Sequence, residues 1–282
     1  MAEYIAPLRD MKFAIKELGA LDAVAGLPGC EEVSADLVDA VLDEAGKFAT
    51  GVLSPLNAPG DRAGCKLADG VVTTPPGFKD AYRQFREAGW PALGADPEFG
   101  GQGLPHVLSG LVSEIWNSAN MSFCLCPMLT NGAINAIKRH GSDALKRTYL
   151  AKMVSGEWSG TMNLTEPQAG SDLSAVRARA VPDGERYRVH GNKIFITYGE
   201  HDFTDNVVHL VLARTPNAPE GVKGISLFVV PKFLVNPDGS LGARNDVKCV
   251  SIEHKLGIHA SPTCVMAYGE KDGAIGYLVG EE

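Results

Sequence analysis

The chain has 282 residues, 45% of them hydrophobic and 21% charged, with a formal net charge of −8. That length predicts one large domain or two ordinary ones of roughly 100–200 residues, with ample apolar material for a core. An acidic balance without a Lys/Arg run excludes a nucleic-acid-binding surface, where phosphate neutralisation dominates affinity, but leaves room for an anionic small ligand.

The N-terminal stretch MAEYIAPLRDMKFAIKELGA carries Glu3, Arg9, Asp10 and Lys12 and holds no continuous apolar run, so it reads as neither a secretory leader nor a transit peptide. No window approaches the roughly 18 uninterrupted apolar residues of a membrane span. A cytoplasmic protein with no membrane or nucleic-acid partner is expected. The six cysteines, at 30, 65, 124, 126, 249 and 264, form no CxxC pair and are expected to be reduced thiols. The seven histidines show no ligand spacing; His254 and His259 stand five apart without partners, and no metal is expected.

From residue 1 to 157 the pattern is helical. In EEVSADLVDAVLDEAGKFATGVL the apolar positions Val33, Leu37, Val41, Ala45, Phe48 and Val52 recur at three- and four-residue steps and predict one buried stripe. Glu31 and Glu32 fall in the expected first turn, where the helix dipole favours acids, and Pro55 is read as the stop signal. PGFKDAYRQFREAGW repeats the logic with Phe78, Tyr82 and Phe85. Three more helices are predicted, over 104–126, 131–140 and 143–154. The glycine-rich break GADPEFGGQGLP lacks the lysine of a phosphate loop and follows no strand, so it is read as a structural loop.

After Ser159 the period changes to two. SAVRARAVPDGERYRVHGNKIFIT predicts a strand, an Asp183-Gly184 hairpin turn, a second strand and a third element after Gly191. Further strands are predicted at 207–213, 225–231, 247–252 and 264–268. The expected fold class is therefore α+β: an all-α domain over 1–157, then a small antiparallel β-barrel or sandwich over 158–282.

Two clusters are candidates for function. At the junction, MNLTEPQAGSD offers the hydroxyls of Thr165 and Ser171, with Gly170 letting backbone N–H groups approach a ligand. Such a set suits a polar, partly anionic cofactor; equally, Ser171 or Asp172 could cap a turn with Glu166 solvated. In GNKIFITYGEHD, alternation puts Phe195 and Thr197 on one strand face, a flat ring beside a hydroxyl. That pair fits an extended ring system, or a core Phe with a cross-strand Thr pair.

The order of helical domain, NLTEPQAGSD, hairpin, KIFIT, KGISLFVVPK and HKLGIHASPTCVM resembles the flavin-dependent acyl-CoA dehydrogenase family over essentially the whole chain. APLRDMKF, SPLNAPGDRAG and HDFTDN are similar to a longer-chain subgroup that includes 3-methylmercaptopropionyl-CoA dehydrogenases. The resemblance implies FAD lying between the β domain and a C-terminal four-helix domain. The segment Met162, Asn163, Leu164, Thr165, Gly170 and Ser171 would line the cofactor, with Thr165 bonding the pyrimidine edge of the flavin. Ser171 would contact the pyrophosphate and border the acyl-CoA substrate. Phe195, Ile196 and Thr197 match the second flavin-facing segment, Thr197 near flavin N5 and Phe195 where a stacking tryptophan is usual.

The implied reaction is a 2,3-dehydrogenation of an acyl thioester, with α-proton abstraction by a carboxylate and hydride transfer to flavin N5. The family passes electrons to an electron-transfer flavoprotein and forms homo-oligomers. Its catalytic glutamate lies in the four-helix domain, and the chain ends at GYLVGEE, about where that domain is expected to begin. Neither Glu281, Glu282 nor Glu166 is assigned as the base, so no catalytic residue is expected in this chain. The alternative is a non-catalytic flavin- or acyl-CoA-binding interaction protein.

Overall fold

The computed structural model describes residues 4–18 and 20–282; Glu3, cited against a leader, lies outside them. Helices α1 (Leu8–Glu17), α2 (Ala20–Ala25) and α3 (Ala35–Phe48) open the chain. Ser34 caps α3 by accepting from the Leu37 N–H at 3.2 Å, so Glu31 and Glu32 precede the helix and the expected first turn begins too early. The deepest stripe is Val38, Leu42, Ala45, Ala49 and Leu53, one step round from the predicted one. Pro55 does not stop it. A π-helical turn, Ala49–Leu53, leads directly into α4 (Ser54–Ala63), where Pro55 sits in the first turn and its missing N–H is not needed.

The helical half also contains a hairpin that the helical reading did not foresee, β1 (Lys66–Ala68) and β2 (Val71–Thr73). Asp69 and Gly70 turn it with φ of 50° and 77°, the left-handed pair of a tight hairpin. Its Val72 is buried among sheet residues rather than helical ones. Helix α5 (Phe78–Glu87) follows, then the glycine-rich segment, where a Cβ on Gly101 would stand 1.9 Å from the Ala95 carbonyl oxygen. That contact explains the glycine without any phosphate.

Helix α6 (His106–His140) replaces the two helices predicted over 104–126 and 131–140. The break falls at Asn120 (φ −159°, ψ 84°), not after 126. The Asn120 side chain caps the second half by accepting from the Phe123 N–H at 3.1 Å, and its amide donates to the Leu53 carbonyl at 3.1 Å. α7 (Asp143–Val154) lies as expected, capped by Ser142. None of the helices among the described residues is long and apolar enough to cross a membrane.

The second half is a curled sheet. Its strands are β3 (Trp158–Asn163), β4 (Arg179–Asp183), β5 (Arg186–Thr197), β6 (Asn206–Ala213), β7 (Ser226–Pro231), β8 (Phe233–Val235), β9 (Leu241–Arg244), β10 (Val247–Ile252), β11 (Thr263–Tyr268) and β12 (Ala274–Val279). The main order is β10-β11-β5-β12-β7-β6-β3, with β4 on β5 and β8 and β9 paired apart. One pairing corrects the all-antiparallel expectation: β3 runs parallel to β6, its return made possible by the long excursion through β4 and β5. The element expected after Gly191 is the continuation of β5, and a Cβ on Gly191 would press to 2.9 Å from that of Ala178.

The halves interlock through aromatic residues. Phe203, from the loop after β5, stacks on Tyr82 of α5 with centroids 4.9 Å apart and planes at 19°. Tyr198 is buried in the same helical core, and its hydroxyl donates to the Ser122 carbonyl of α6 at 2.6 Å. Tyr198 holds a left-handed φ of 51°, which an L side chain adopts at some cost. Tyr198→Phe is expected to lower stability by about 1 kcal/mol, measured by urea unfolding, because it removes one buried hydrogen bond and little volume.

A second tie joins α4 to the loop after β10. The His259 N–H and ring Nδ1 lie 2.8 and 3.0 Å from Asp61 Oδ1, and ring Nε2 lies 2.8 Å from the Lys255 carbonyl. Both ring nitrogens face acceptors, which favours the protonated ring, and the Asp61 carboxylate, then the Lys255 carbonyl, raise its pKa. A raised folded value makes this contribution complete below about pH 6.5 and lost as pH rises through it. The Tm difference between the parent and His259→Gln is therefore expected to shrink from pH 6 to pH 8.

Candidate functional site

The TEPQAGSD segment leaves β3 and folds as a tight loop. Glu166 and Ala169 exchange two backbone hydrogen bonds of 3.0 Å across Pro167 and Gln168. Asp172 Oδ1 accepts from the Ser174 N–H at 2.9 Å and caps a short turn. Glu166, which the plainer reading left solvated, is only 4% exposed. It accepts from Lys193 Nζ at 2.7 Å, from the Arg177 and Ala178 N–H groups at 2.7 and 3.0 Å, and from Gln168 Nε2 at 2.6 Å. Burial raises its pKa, but Lys193 and the two N–H groups outweigh that and hold the carboxyl below its ordinary value. So occupied, Glu166 is a structural anion and is not available as a base.

The two segments singled out in the sequence meet. The Ile194 N–H donates to the Thr165 carbonyl at 2.9 Å, Lys193 Nζ to the Leu164 carbonyl at 3.0 Å, and Thr161 Oγ1 to the Thr197 carbonyl at 2.6 Å. The sheet thus curls until the end of β3 lies along β5. The strict alternation assumed for β5 fails at a bulge. Lys193 pairs with Met266 but Ile196 with Cys264, so two residues, Ile194 and Phe195, oppose Val265 alone. Phe195 takes φ 59° there and is 58% exposed. Lys193 and Ile196 point inward, and Phe195 and Thr197 lie on the open side because of the bulge rather than by alternation.

The hydroxyls of Thr165, Ser171 and Thr197 and the Thr165 N–H make no hydrogen bond to another described residue. Gly170 and Ser171 are exposed; Met162, Leu164, Thr165 and Thr197 are half-buried. Two expected cofactor residues turn away. Asn163 is fully buried, accepting from the Tyr268 hydroxyl at 2.7 Å, and Ile196 is 2% exposed in the sheet core. Only their backbone could face a ligand, since inward strand positions spend their side chains on the core.

A buried Ser–His pair elsewhere invites a nucleophilic reading, which the proton directions exclude. The Phe203 N–H donates to His201 Nδ1 at 3.1 Å, so Nε2 carries the proton and donates to Ser159 Oγ at 2.8 Å. Thr204 Oγ1 donates onward to the Asn206 carbonyl, leaving it to accept from Ser159. Ser159 is held as a relay, and burial depresses His201 to about 3. The six cysteines are free, and no metal-binding cluster occurs among the described residues.

A cavity of about 440 Å³ runs along α6, lined in part by Trp90, Trp116, Cys124, Met128 and Asn131. Sequence reasoning missed it. The stretch that lines it is the charge-free run of α6 between Glu114 and Lys138, from which only two helices are predicted.

Comparison with known proteins gives a consistent result. Residues 38–157 match the model of the acyl-CoA dehydrogenase N-terminal domain, and residues 161–269 that of the acyl-CoA dehydrogenase middle domain. A 3-methylmercaptopropionyl-CoA dehydrogenase of Ruegeria pomeroyi is 55% identical over 99% of this chain and 47% of its own. A butyryl-CoA dehydrogenase of Syntrophomonas wolfei is 41% identical over 99% of this chain and 46% of its own. The chain thus spans about half the length of these relatives. The structure of an acyl-CoA dehydrogenase complexed with FAD from Bacillus anthracis shares the fold, at a TM-score of 0.69 and 23% identity, over 89% of this chain and 38% of that one.

Proposed function

The chain belongs to the acyl-CoA dehydrogenase family, and from that premise we propose that the open face at Thr165, Ser171, Phe195 and Thr197 is one wall of an FAD site serving 2,3-dehydrogenation of an acyl-CoA. The observation that carries this reading is the junction made by the Ile194 N–H and the Thr165 carbonyl, which brings two remote segments to one face with an exposed flat ring and unpaired donors. The donor set fits the group. A flavin presents a flat ring, an edge of carbonyl and imine acceptors, and a pyrophosphate.

Bound FAD supplies the hydride acceptor for this chemistry. The chain's residues hold and orient it. Phe195 offers its ring for stacking, with less area than a tryptophan. The Thr165 N–H and hydroxyl donate to the ring edge, Thr197 donates on the neighbouring strand, and Ser171 and the backbone beside Gly170 receive the phosphates. Leu164 and Met162 shield the ring from water. Glu166 is fully engaged and Asp172 caps its turn, and by its family resemblance the chain would take its proton-abstracting carboxylate from outside these residues. An electron-transfer flavoprotein is the proposed electron acceptor.

Titration of FAD into the chain, followed by flavin fluorescence, tests the reading. Saturable binding is expected, weakened about ten-fold by Phe195→Ala through loss of aromatic contact. Equal affinity in the two proteins would remove the basis for the stacking role.

A further inference from the structure

Lys193 lies within β5 with its side chain fully buried, 27 residues from the acid it pairs with. Its ammonium makes two contacts: Glu166 Oε1 at 2.7 Å and the Leu164 carbonyl at 3.0 Å. The second contact does more than satisfy a charge. In a planar trans peptide the carbonyl of one residue and the N–H of the next point in opposite directions. With the Leu164 carbonyl drawn inward to Lys193, the Thr165 N–H is turned outward. The Thr165 carbonyl is itself taken by the Ile194 N–H at 2.9 Å, which fixes the following peptide as well. Glu166, the other partner of Lys193, ties the far end of the loop through the Arg177 and Ala178 N–H groups.

We propose that Lys193 is a positioning residue: by holding the Leu164 carbonyl and Glu166 together from inside the sheet, it aims the unpaired Thr165 N–H at the ligand face and fixes the loop from 164 to 178. This rests on the flavin reading given above for what occupies that face. Lys193 touches no ligand. It acts through one peptide plane and one carboxylate, which is why an ammonium with several donors is placed where an apolar side chain would otherwise pack. The donor it aims is neutral and belongs to the backbone, so among substitutions of Thr165 only proline would delete it.

The test compares the parent chain with Lys193→Met and with the double variant Glu166→Gln/Lys193→Met, which leaves no unpaired buried charge. Folding is checked by circular dichroism. Amide hydrogen exchange over 164–178, the FAD dissociation constant and the absorption band of bound FAD are then measured. In both variants, faster exchange confined to that loop is expected, with FAD affinity about ten-fold weaker and a shifted flavin band, as for one lost well-aimed donor. The double variant decides the matter if Lys193→Met does not fold. Parent-like exchange, affinity and band position in a folded variant would overturn the proposal. Should the parent itself bind no FAD, the flavin reading fails, and the role of Lys193 stands or falls on the loop exchange alone.

Discussion

Supplied with FAD, an acyl-CoA and an artificial electron acceptor, a protein of these 282 residues is expected to show no turnover above the acceptor background. The expectation comes from the site. Proton abstraction from a thioester needs a positioned carboxylate, and general-base catalysis alone contributes about 10²–10⁴-fold. Glu166 is surrounded by four donors and is buried at the base of the 164–178 loop. Asp172 holds its turn, and Glu282 accepts from the Tyr187 hydroxyl at 2.8 Å on an exposed edge. None of the three is free to act as a base. Steady reduction of the acceptor, dependent on acyl-CoA and lost on removing FAD, would show that a base lies within these residues after all.

Glu166→Ala is expected to cost about 3–5 kcal/mol of stability, the largest effect of any single substitution near the site. It leaves the Lys193 ammonium buried without a counter-charge and strips the Arg177 and Ala178 N–H groups of their acceptor. Urea unfolding gives the value, and a loss under about 1 kcal/mol would mean that water reaches the pair. The pH dependence has a definite sign. Burial raises the Glu166 pKa, yet Lys193 and the backbone donors bring it below the ordinary carboxylate value, so the unfolded chain takes up the proton first as pH falls. The contribution is complete above about pH 4.5 and disappears as pH drops through the folded value. The stability gap between the parent and Glu166→Gln is expected to narrow only in that acidic range.

What the sequence revealed followed local periodicity. Helix α7 and the strands β6, β7, β10 and β11 lie where apolar spacing put them. Both candidate segments were legible because hydroxyls, a glycine and an aromatic stood together in short stretches, and the structure places those segments side by side. What stayed hidden was non-local or conformational. The pairing of Glu166 with Lys193 spans 27 residues and has no spacing signature. The parallel register of β3 on β6 depends on topology, not on either strand. The bulge at Phe195 breaks a two-residue period that its own residues obey, and it follows from how β5 meets β11. The hairpin at Asp69-Gly70 is a different case. Its signal is the Asp-Gly dipeptide also present at Asp183-Gly184, here standing between two helices.

Hydrogen exchange of the whole chain with and without saturating FAD tests the central claim most directly. The account predicts that FAD slows exchange in two segments at once, 162–174 and 192–199, because one ligand face is built from both. Protection elsewhere, such as along the α6 cavity, with these two segments unchanged would contradict it.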